Sequence, residues 1–366
     1  MMNLPRIDQS PVARWWWTID HWTIGALAVL IAFGAILIMA ASPAVAERIG
    51  LDGMHFVRHQ MMLVPLAILV MFGVSLQNPR TIRRIAVIGF LISILLVVYT
   101  FIGGVEIKGA RRWVNFPGLS LQPSEFVKPT FAVLSGWLFA EQKLRPGFKG
   151  NLAAILLYAL VVGLLLKQPD LGMAFVISAV WFTQFFMAGL RYQFVLLCGA
   201  LGVAGLTGAY FLLPHVTSRI DRFLFKGAGD TYQVDRSLEA FANGGLWGRG
   251  PGEGTVKGAL PDAHADFVFA VAGEELGLVA CIVIVALFGF IVLRGLSRLF
   301  QENNLYIMLA GSGLFVQFGL QAVINMASSL QLMPAKGMTL PFVSYGGSSL
   351  LALALTRRRY AGAEAA

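Results

Sequence analysis

Ten stretches of this chain are apolar for close to the length a helix needs to cross a hydrocarbon layer. They cover 22–42, 60–77, 83–102, 124–141, 150–166, 171–188, 193–213, 266–293, 305–327 and 341–356. A spanning helix needs about 20 mostly apolar residues, and a helix satisfies every backbone N–H and C=O without water. The pattern predicts an all-α polytopic membrane protein with ten transmembrane helices. Composition agrees, since 57% of the 366 residues are hydrophobic and only 13% are charged, against about a quarter charged in soluble domains. The start of the chain is mixed polar and basic, and the apolar run after Trp22 is long enough to stay in the membrane. It does not read as a cleavable signal peptide.

Basic residues fix the orientation. With the N-terminus inside, the cytoplasmic segments hold fourteen Lys and Arg against five acids, a balance of +9 that equals the net charge of the whole chain. Short basic loops beside helix ends belong on the cytoplasmic side. Ten spans return the C-terminus to that side, where Arg357, Arg358 and Arg359 stand. The Trp15–Trp17 cluster reads as an aromatic anchor at the inner interface. The chain is thus one transmembrane domain over 1–366, with a cytoplasmic segment 1–21 and a tail 357–366. One long outer connection, 214–265, lies between spans seven and eight. Loops this long in compact folds are functional or disordered. The amphipathic stretch VDRSLEAFANGG, ending at Gly244–Gly245, argues for order here.

Several function classes are excluded. A net charge of +9 would suit nucleic acid in a soluble protein, but no basic face with interleaved polar residues is present. Cys198 and Cys281 both lie in apolar runs, which argues against a disulfide or a zinc site. His21, His55, His59 and His215 lack metal-ligand spacing. The glycine-rich GRGPGEG at 248–254 has no Lys-Ser/Thr and follows no strand, so it is not a phosphate loop. The sequence shows no internal repeat and no interrupted helix of the kind transporters use at the membrane midplane.

The informative polar residues fall on the outer side. In LPDAHADFVFAVAGEELGLV (260–279), Asp262, His264 and Asp266 stand at the entrance of span eight, and Glu274 and Glu275 lie inside it. Asp266 is either the helix N-cap, the commonest use of Asp at such a place, or a catalytic or ligand-binding carboxylate. Adjacent glutamates point about 100° apart on a helix. At most one of them faces the cavity that Asp266 faces, and a structural salt bridge explains either equally well. In KGARRWVNFPGLSLQPSEFVKP (108–129), Lys108, Arg111 and Arg112 are bases where the positive-inside rule disfavours them. Trp113, Phe116 and Pro117 suggest a loop dipping into the interface. Glu125 and Lys128, three apart, can pair on one helix face, and ionisable groups at membrane depth mark a cavity or partner. In KQPDLG (167–172), Asp170 serves turn chemistry or a site. In LQLMPAKGMTLPFVSYGGSS (330–349), Lys336 lies in an outer loop, and Ser344 and its small neighbours favour either close helix packing or a polar site. Carboxylates, excess bases and an ordered loop on one side equip the chain for an anionic, lipid-anchored substrate. Bases would hold a pyrophosphate and a carboxylate would activate a hydroxyl.

At these motifs the sequence resembles the SEDS family (shape, elongation, division, sporulation), the FtsW/RodA membrane glycosyltransferases. The resemblance covers roughly Trp15 to Arg359. It rests on four motifs in order: Gly109–Lys128, Gln168–Gly172, Tyr232–Glu275 and Met333–Ser349. The first outer loop, within residues 39–60, is more similar to the division member, FtsW, than to the elongation member. Two positions depart from the family pattern: Ala265 stands where Thr is usual, and Gly254 where Ser is frequent. The resemblance implies polymerisation of lipid II into glycan strands at the septum. Asp266 would be the essential acid and general base. Glu125, Lys128, Arg111, Arg112, Trp113, Lys336, Asp170, His264 and Ser344 would bind substrate. It implies no certain cofactor and leaves room for a divalent cation (Mg2+ or Mn2+) beside the leaving pyrophosphate. The implied partners are the nascent strand, a class B penicillin-binding protein and other division proteins, and the implied place is the bacterial inner membrane. Two rival readings are a lipid II flippase and a scaffold without chemistry.

Overall fold

The structure, a computed structural model, describes residues 15–17, 19–107, 110–116, 119–189, 191–212, 214–224, 232–334 and 337–354. Its helices, in chain order, begin with α1 (His21–Arg48), α2 (His55–Ser75) and α3 (Pro79–Gly103). After a small sheet come α4 (Pro123–Leu144), α5 (Gly150–Lys167), α6 (Leu171–Met187) and α7 (Tyr192–Leu212). The long connection contributes α8 (Pro214–Leu224) and α9 (Tyr232–Gly244), and α10 (Val268–Leu299), α11 (Leu305–Ser329) and α12 (Gly347–Ala354) complete the series.

The protein is a multi-pass helical membrane protein. Among the described residues seven helices qualify as spans by length and composition: α1, α2, α3, α5, α7, α10 and α11. The expected count of ten is not reached on those grounds alone. α6 is apolar but has 17 residues. α4 has 22 residues, but its Glu125, Lys128, Glu141 and Lys143 lower its hydropathy. Of the expected span 341–356, only Gly347–Ala354 is helical among the described residues.

The all-α expectation also needs correction. The segment expected to dip into the interface as a loop forms a three-stranded antiparallel sheet of β1 (Val105–Ile107), β2 (Ala110–Phe116) and β3 (Leu119–Leu121), with β2 in the middle. Val105 pairs with Trp113, and Val114 pairs with Leu121. Side chains alternate across a strand, which places Val114 in the interior and leaves Arg111 and Asn115 exposed.

α11 is the wall between two cores. Phe318, Ala322 and Met326 pack into a cluster with α1, α2, α10 and residues 260–272. Leu309 and Ile324 pack into a second cluster with α3, α4, α5 and α6. α4 crosses α11 at Gly136, where a methyl group would lie 2.7 Å from the Ala310 nitrogen. Small residues at such crossings let helices meet closely in lipid. Below this crossing Gln184 of α6 donates to the carbonyls of Ala132 (2.7 Å) and Leu309 (2.9 Å), and Ser135 donates to its Oε1. One buried amide thereby ties three helices together.

The helix order puts the connections at alternating ends. One end gathers the sheet, residues 168–170, the long connection and residues 330–346. At the other end Asp20 accepts from Arg294 (2.6 Å) and lies 3.3 Å from Arg298. Burial opposes ionisation of Asp20, but the Arg294 and Thr23 hydrogen bonds and the charge of Arg298 outweigh it. They hold its carboxyl at about 2 instead of 3.8.

α10 is not one rod. Gly277 has φ 80° and ψ 179°, which breaks the helix. This break was not foreseen. Residues 278–299 are long enough to span alone, so the break lies near one end and not at a midplane. A glycine-rich strap, residues 245–258, fills it. Leu278 and Val279 donate to the carbonyls of Gly245 (2.9 Å) and Leu246 (3.2 Å). Arg249 and Gly250 donate to the carbonyls of Glu274 and Glu275, each at 3.0 Å. A methyl group at Gly248 would stand 2.2 Å from the Glu275 carbonyl oxygen, and one at Gly277 would stand 2.4 Å from the Gly248 nitrogen. Both positions also have positive φ, so glycine is required twice over.

Candidate active site

Glu274 and Glu275 belong to the strap. Glu274 Oε1 accepts from the backbone of Thr255 (2.8 Å) and Val256 (3.0 Å) and from the Thr255 hydroxyl (3.3 Å). Glu275 accepts from the Gly252 nitrogen (3.0 Å) and from Lys257 Nζ (2.6 Å). Both side chains are fully buried. The expected salt bridge forms at Glu275, with Lys257, whereas Glu274 is held by neutral donors, and their 100° separation does not send one of them to the Asp266 cavity. Both turn toward the strap because the strap wraps around them.

Asp266 stands differently. The helix N-cap is Phe267, which has no side-chain cap bond, so the capping reading of Asp266 does not hold. The turn before it is set by Asp262, whose φ is 54°. The Asp262 carbonyl accepts from the backbone of Ala265 and Asp266, each at 3.0 Å, and from Phe267 at 3.4 Å. Asp266 itself is half-buried. Asn325 of α11 donates one N–H to the Asp266 carbonyl (2.9 Å) and the other to the Met338 carbonyl (2.6 Å). Gly337 approaches the carboxylate closely, since a methyl group there would lie 3.1 Å from Asp266 Oδ2.

One turn along the same face of α11, Gln321 accepts from Lys128 Nζ (2.9 Å). The Lys128 ammonium also lies 2.8 Å from Glu125 Oε2. Both members of this pair are almost wholly buried, at 1% and 6% exposure, so the expected Glu125–Lys128 pairing is formed. Gln321 donates in turn to the Thr339 carbonyl (3.2 Å), and Thr339 donates to Ser349 Oγ (2.8 Å). The Asp266 backbone and the Glu125–Lys128 pair are thereby tied to Asn325 and Gln321, neighbouring positions one turn apart on α11, and both anchors also hold the chain at residues 338–339. A buried pair is weak evidence for stability. At membrane depth it marks a polar site.

The remaining expected site residues separate into groups. Arg112 and Asp170 come together: the guanidinium donates to the carbonyls of Gln168 (3.1 Å) and Pro169 (2.6 Å) and lies 3.6 Å from Asp170 Oδ2. Asp170 also caps α6 through Met173 N. Arg111 points outward and pairs with Glu106 at 3.3 Å. Trp113 sits half-buried on β2. Ser344 is buried in a turn and accepts from the Leu340 nitrogen (2.8 Å), so its hydroxyl is committed to the fold. His264 stacks on Phe56 of α2 with ring centroids 4.3 Å apart, and Tyr345 lies 5.2 Å away. Burial holds its imidazole down to about 4 against an ordinary 6.5. It is neutral at pH 7 and carries no charge for a phosphate. Lys336 and Lys108 lie outside the described residues.

Gln321, Asn325 and Gly337 were missed by the sequence reading. The signal was present: Gln317, Gln321 and Asn325 recur every four residues in an otherwise apolar helix, which draws a polar stripe. Among the described residues, no group of three or more His, Cys, Asp or Glu could hold a metal ion. Asp170 and Glu125 are each already engaged by a base, which leaves Asp266 as the carboxylate that would stand beside a cation carried by the pyrophosphate.

The fold and site define a helical membrane protein with an acid–base cluster sunk into one end of the bundle. Residues 21–357 match the model of the FtsW/RodA/SpoVE family, described as "Cell cycle protein", and the chain belongs to that family. It is 44% identical to the "Probable peptidoglycan glycosyltransferase FtsW" of Caulobacter vibrioides (strain NA1000 / CB15N), over 96% of this chain and 90% of that one. It is 36% identical to the protein of the same name from Coxiella burnetii (strain RSA 493 / Nine Mile phase I), over 92% and 93%. Among solved structures it resembles a chain of a peptidoglycan synthase complex that coordinates polymerization and crosslinking. That match has a TM-score of 0.75 and 28% identity, with 92% of this chain and 95% of that chain covered. It also resembles the rod shape determining protein RodA of Thermus thermophilus, with a TM-score of 0.67 and 27% identity over 93% and 94%.

Proposed function

We infer that this chain is a peptidoglycan glycosyltransferase of cell-wall synthesis that polymerises lipid II. The observation that carries the reading is Asp266, half-buried beside the Glu125–Lys128 pair at the end of the bundle. In this reading the chain crosses the bacterial inner membrane ten times with both termini cytoplasmic, works at the septum, and presents the Asp266 end to the periplasm. Asp266 takes the proton from the 4-hydroxyl of the acceptor N-acetylglucosamine. The resulting oxygen attacks C1 of the donor N-acetylmuramic acid, the C1–O bond to undecaprenyl pyrophosphate breaks, and the configuration at C1 inverts. Asp266 then returns its proton to solvent. Lys128, Arg112, Arg111 and Lys336 balance the charge of the leaving pyrophosphate. No step requires a resident metal. The growing strand passes to a class B penicillin-binding protein for cross-linking, within an assembly of other division proteins.

General base catalysis contributes about 10²–10⁴-fold. Purified Asp266→Asn protein given labelled lipid II in detergent should lose at least about 100-fold in glycan formation while keeping its melting temperature. Parental rates in that variant would remove the base assignment. Detergent offers no second compartment, so glycan ladders also separate polymerisation from flipping.

A further inference from the structure

We propose that Asn325 and Gly337 are positioning residues for Asp266, and that the outer segment 337–340 sets the geometry of the catalytic carboxylate. The proposal rests on the reading of Asp266 as the general base.

An asparagine amide carries two N–H donors. Asn325 spends both on backbone carbonyls of separate segments, Asp266 at 2.9 Å and Met338 at 2.6 Å. Asn325 is 1% exposed, and its Oδ1 is buried without a hydrogen-bond partner. A buried amide with an idle acceptor is costly, and here it staples the Asp266 turn to the chain on either side of Met338. The staple has a direct effect at the carboxylate. It fixes Gly337 where a methyl group would press to 3.1 Å from Oδ2, and Gly337 is itself exposed. Gly337 has no positive φ to require glycine. A methyl group there would instead push the Asp266 carboxylate by a few tenths of an ångström.

The rest of the surroundings agree. His264, two residues before Asp266, is held between Phe56 and Tyr345, and its carbonyl accepts from Tyr345 N (2.9 Å). The turn is therefore secured on its α11 side by one amide and on its α2 side by a ring stack. Misplacement of a catalytic group by about 1 Å can cost about 100-fold in rate.

The test compares Gly337→Ala, Asn325→Asp and Asp266→Asn in the purified full-length protein, with labelled lipid II as probe. Asn325→Asp keeps the shape but, even when protonated, can donate to only one of the two carbonyls. Gly337→Ala changes an exposed residue and leaves the core alone, so it reports even where the buried substitution impairs folding. Expected for Gly337→Ala, which displaces the carboxylate by a few tenths of an ångström, is a kcat loss of roughly 3–10-fold with KM within about threefold and an unchanged melting temperature. The methyl group also strips water from the carboxylate, so the acidic limb of the rate profile should move to higher pH. A purely structural role would leave that limb in place. Parental kcat and an unmoved limb in Gly337→Ala, with Asp266→Asn inactive, would overturn the positioning role and leave the base assignment standing. An active Asp266→Asn would remove both.

Discussion

Two carboxylate sites lie within ten residues of each other at the head of α10, and they have opposite economies. At Glu274 and Glu275 every donor in reach is a strap amide, hydroxyl or ammonium of this chain, and both side chains are sealed from solvent. At Asp266 the supporting bond goes to the backbone carbonyl, and the side chain remains half-buried at the edge of a polar cluster. Burial under the chain's own donors marks a carboxylate that holds a fold together, although Glu274 bonds through Oε1 alone and its Oε2 finds no hydrogen-bond partner among the described residues. A carboxylate whose backbone is gripped while its side chain stays accessible is arranged for an incoming group. Residue type and membrane depth do not separate the two cases, but burial of the carboxylate does.

The contrast can be broken by experiment. The widest separation is between Asp266→Asn, expected to lose rate and keep folding, and Glu274→Leu, expected to do the reverse. Removing Glu274 leaves two backbone N–H groups and a hydroxyl without their acceptor, at about 1–3 kcal/mol each. Chemical denaturation in detergent should show roughly 4 kcal/mol of destabilisation, with protease cleavage appearing in residues 245–258. Next comes His264. Its folded value of about 4 lies below the ordinary 6.5, so between these values the unfolded chain binds the proton more readily. The stability linked to His264 is complete above pH 6.5 and falls away as pH drops toward 4, by about 3 kcal/mol in all. His264→Phe keeps the stack on Phe56 and should flatten that part of the curve. An unchanged curve would mean the ring is not sealed as described. The smallest effect is expected at the strap's tip. Trp247 is 79% exposed, and Trp247→Ala should move the unfolding free energy by less than about 0.5 kcal/mol. A larger loss would show that the indole itself carries part of the strap's stability.

The apolar runs made the helical membrane architecture legible, because bilayer thickness demands a minimum length from any span. The i, i+3 spacing likewise made the Glu125–Lys128 pair legible. The sheet at 105–121 was hidden because Gly, Pro and aromatic residues there suit an interfacial loop as well as short strands. The break at Gly277 was hidden because a lone glycine in an apolar run is ordinary, and its reason lies in Gly248, which is 29 positions away in the chain. GRGPGEG forms part of the strap, a role that could not be read without Glu274 and Glu275 folded against it. At the site, Asp266 stood out by its neighbours. Asn325 did not, because its partners are carbonyls 59 and 13 residues away.

The grip on Asp266 has a consequence for how the molecule comes into being. Chains leave the ribosome N-terminus first, and the strap is made before the glutamates that seat it. The Asp266 turn waits longer still, for Asn325 on α11 and then for Met338 and Tyr345. Most of the spans can already be inserted while the turn has only the Phe56 stack on its α2 side. The α11 side of the working end is therefore fastened last in biosynthesis, so a chain truncated before residue 325 would reach the bilayer with its reactive turn held on one side alone.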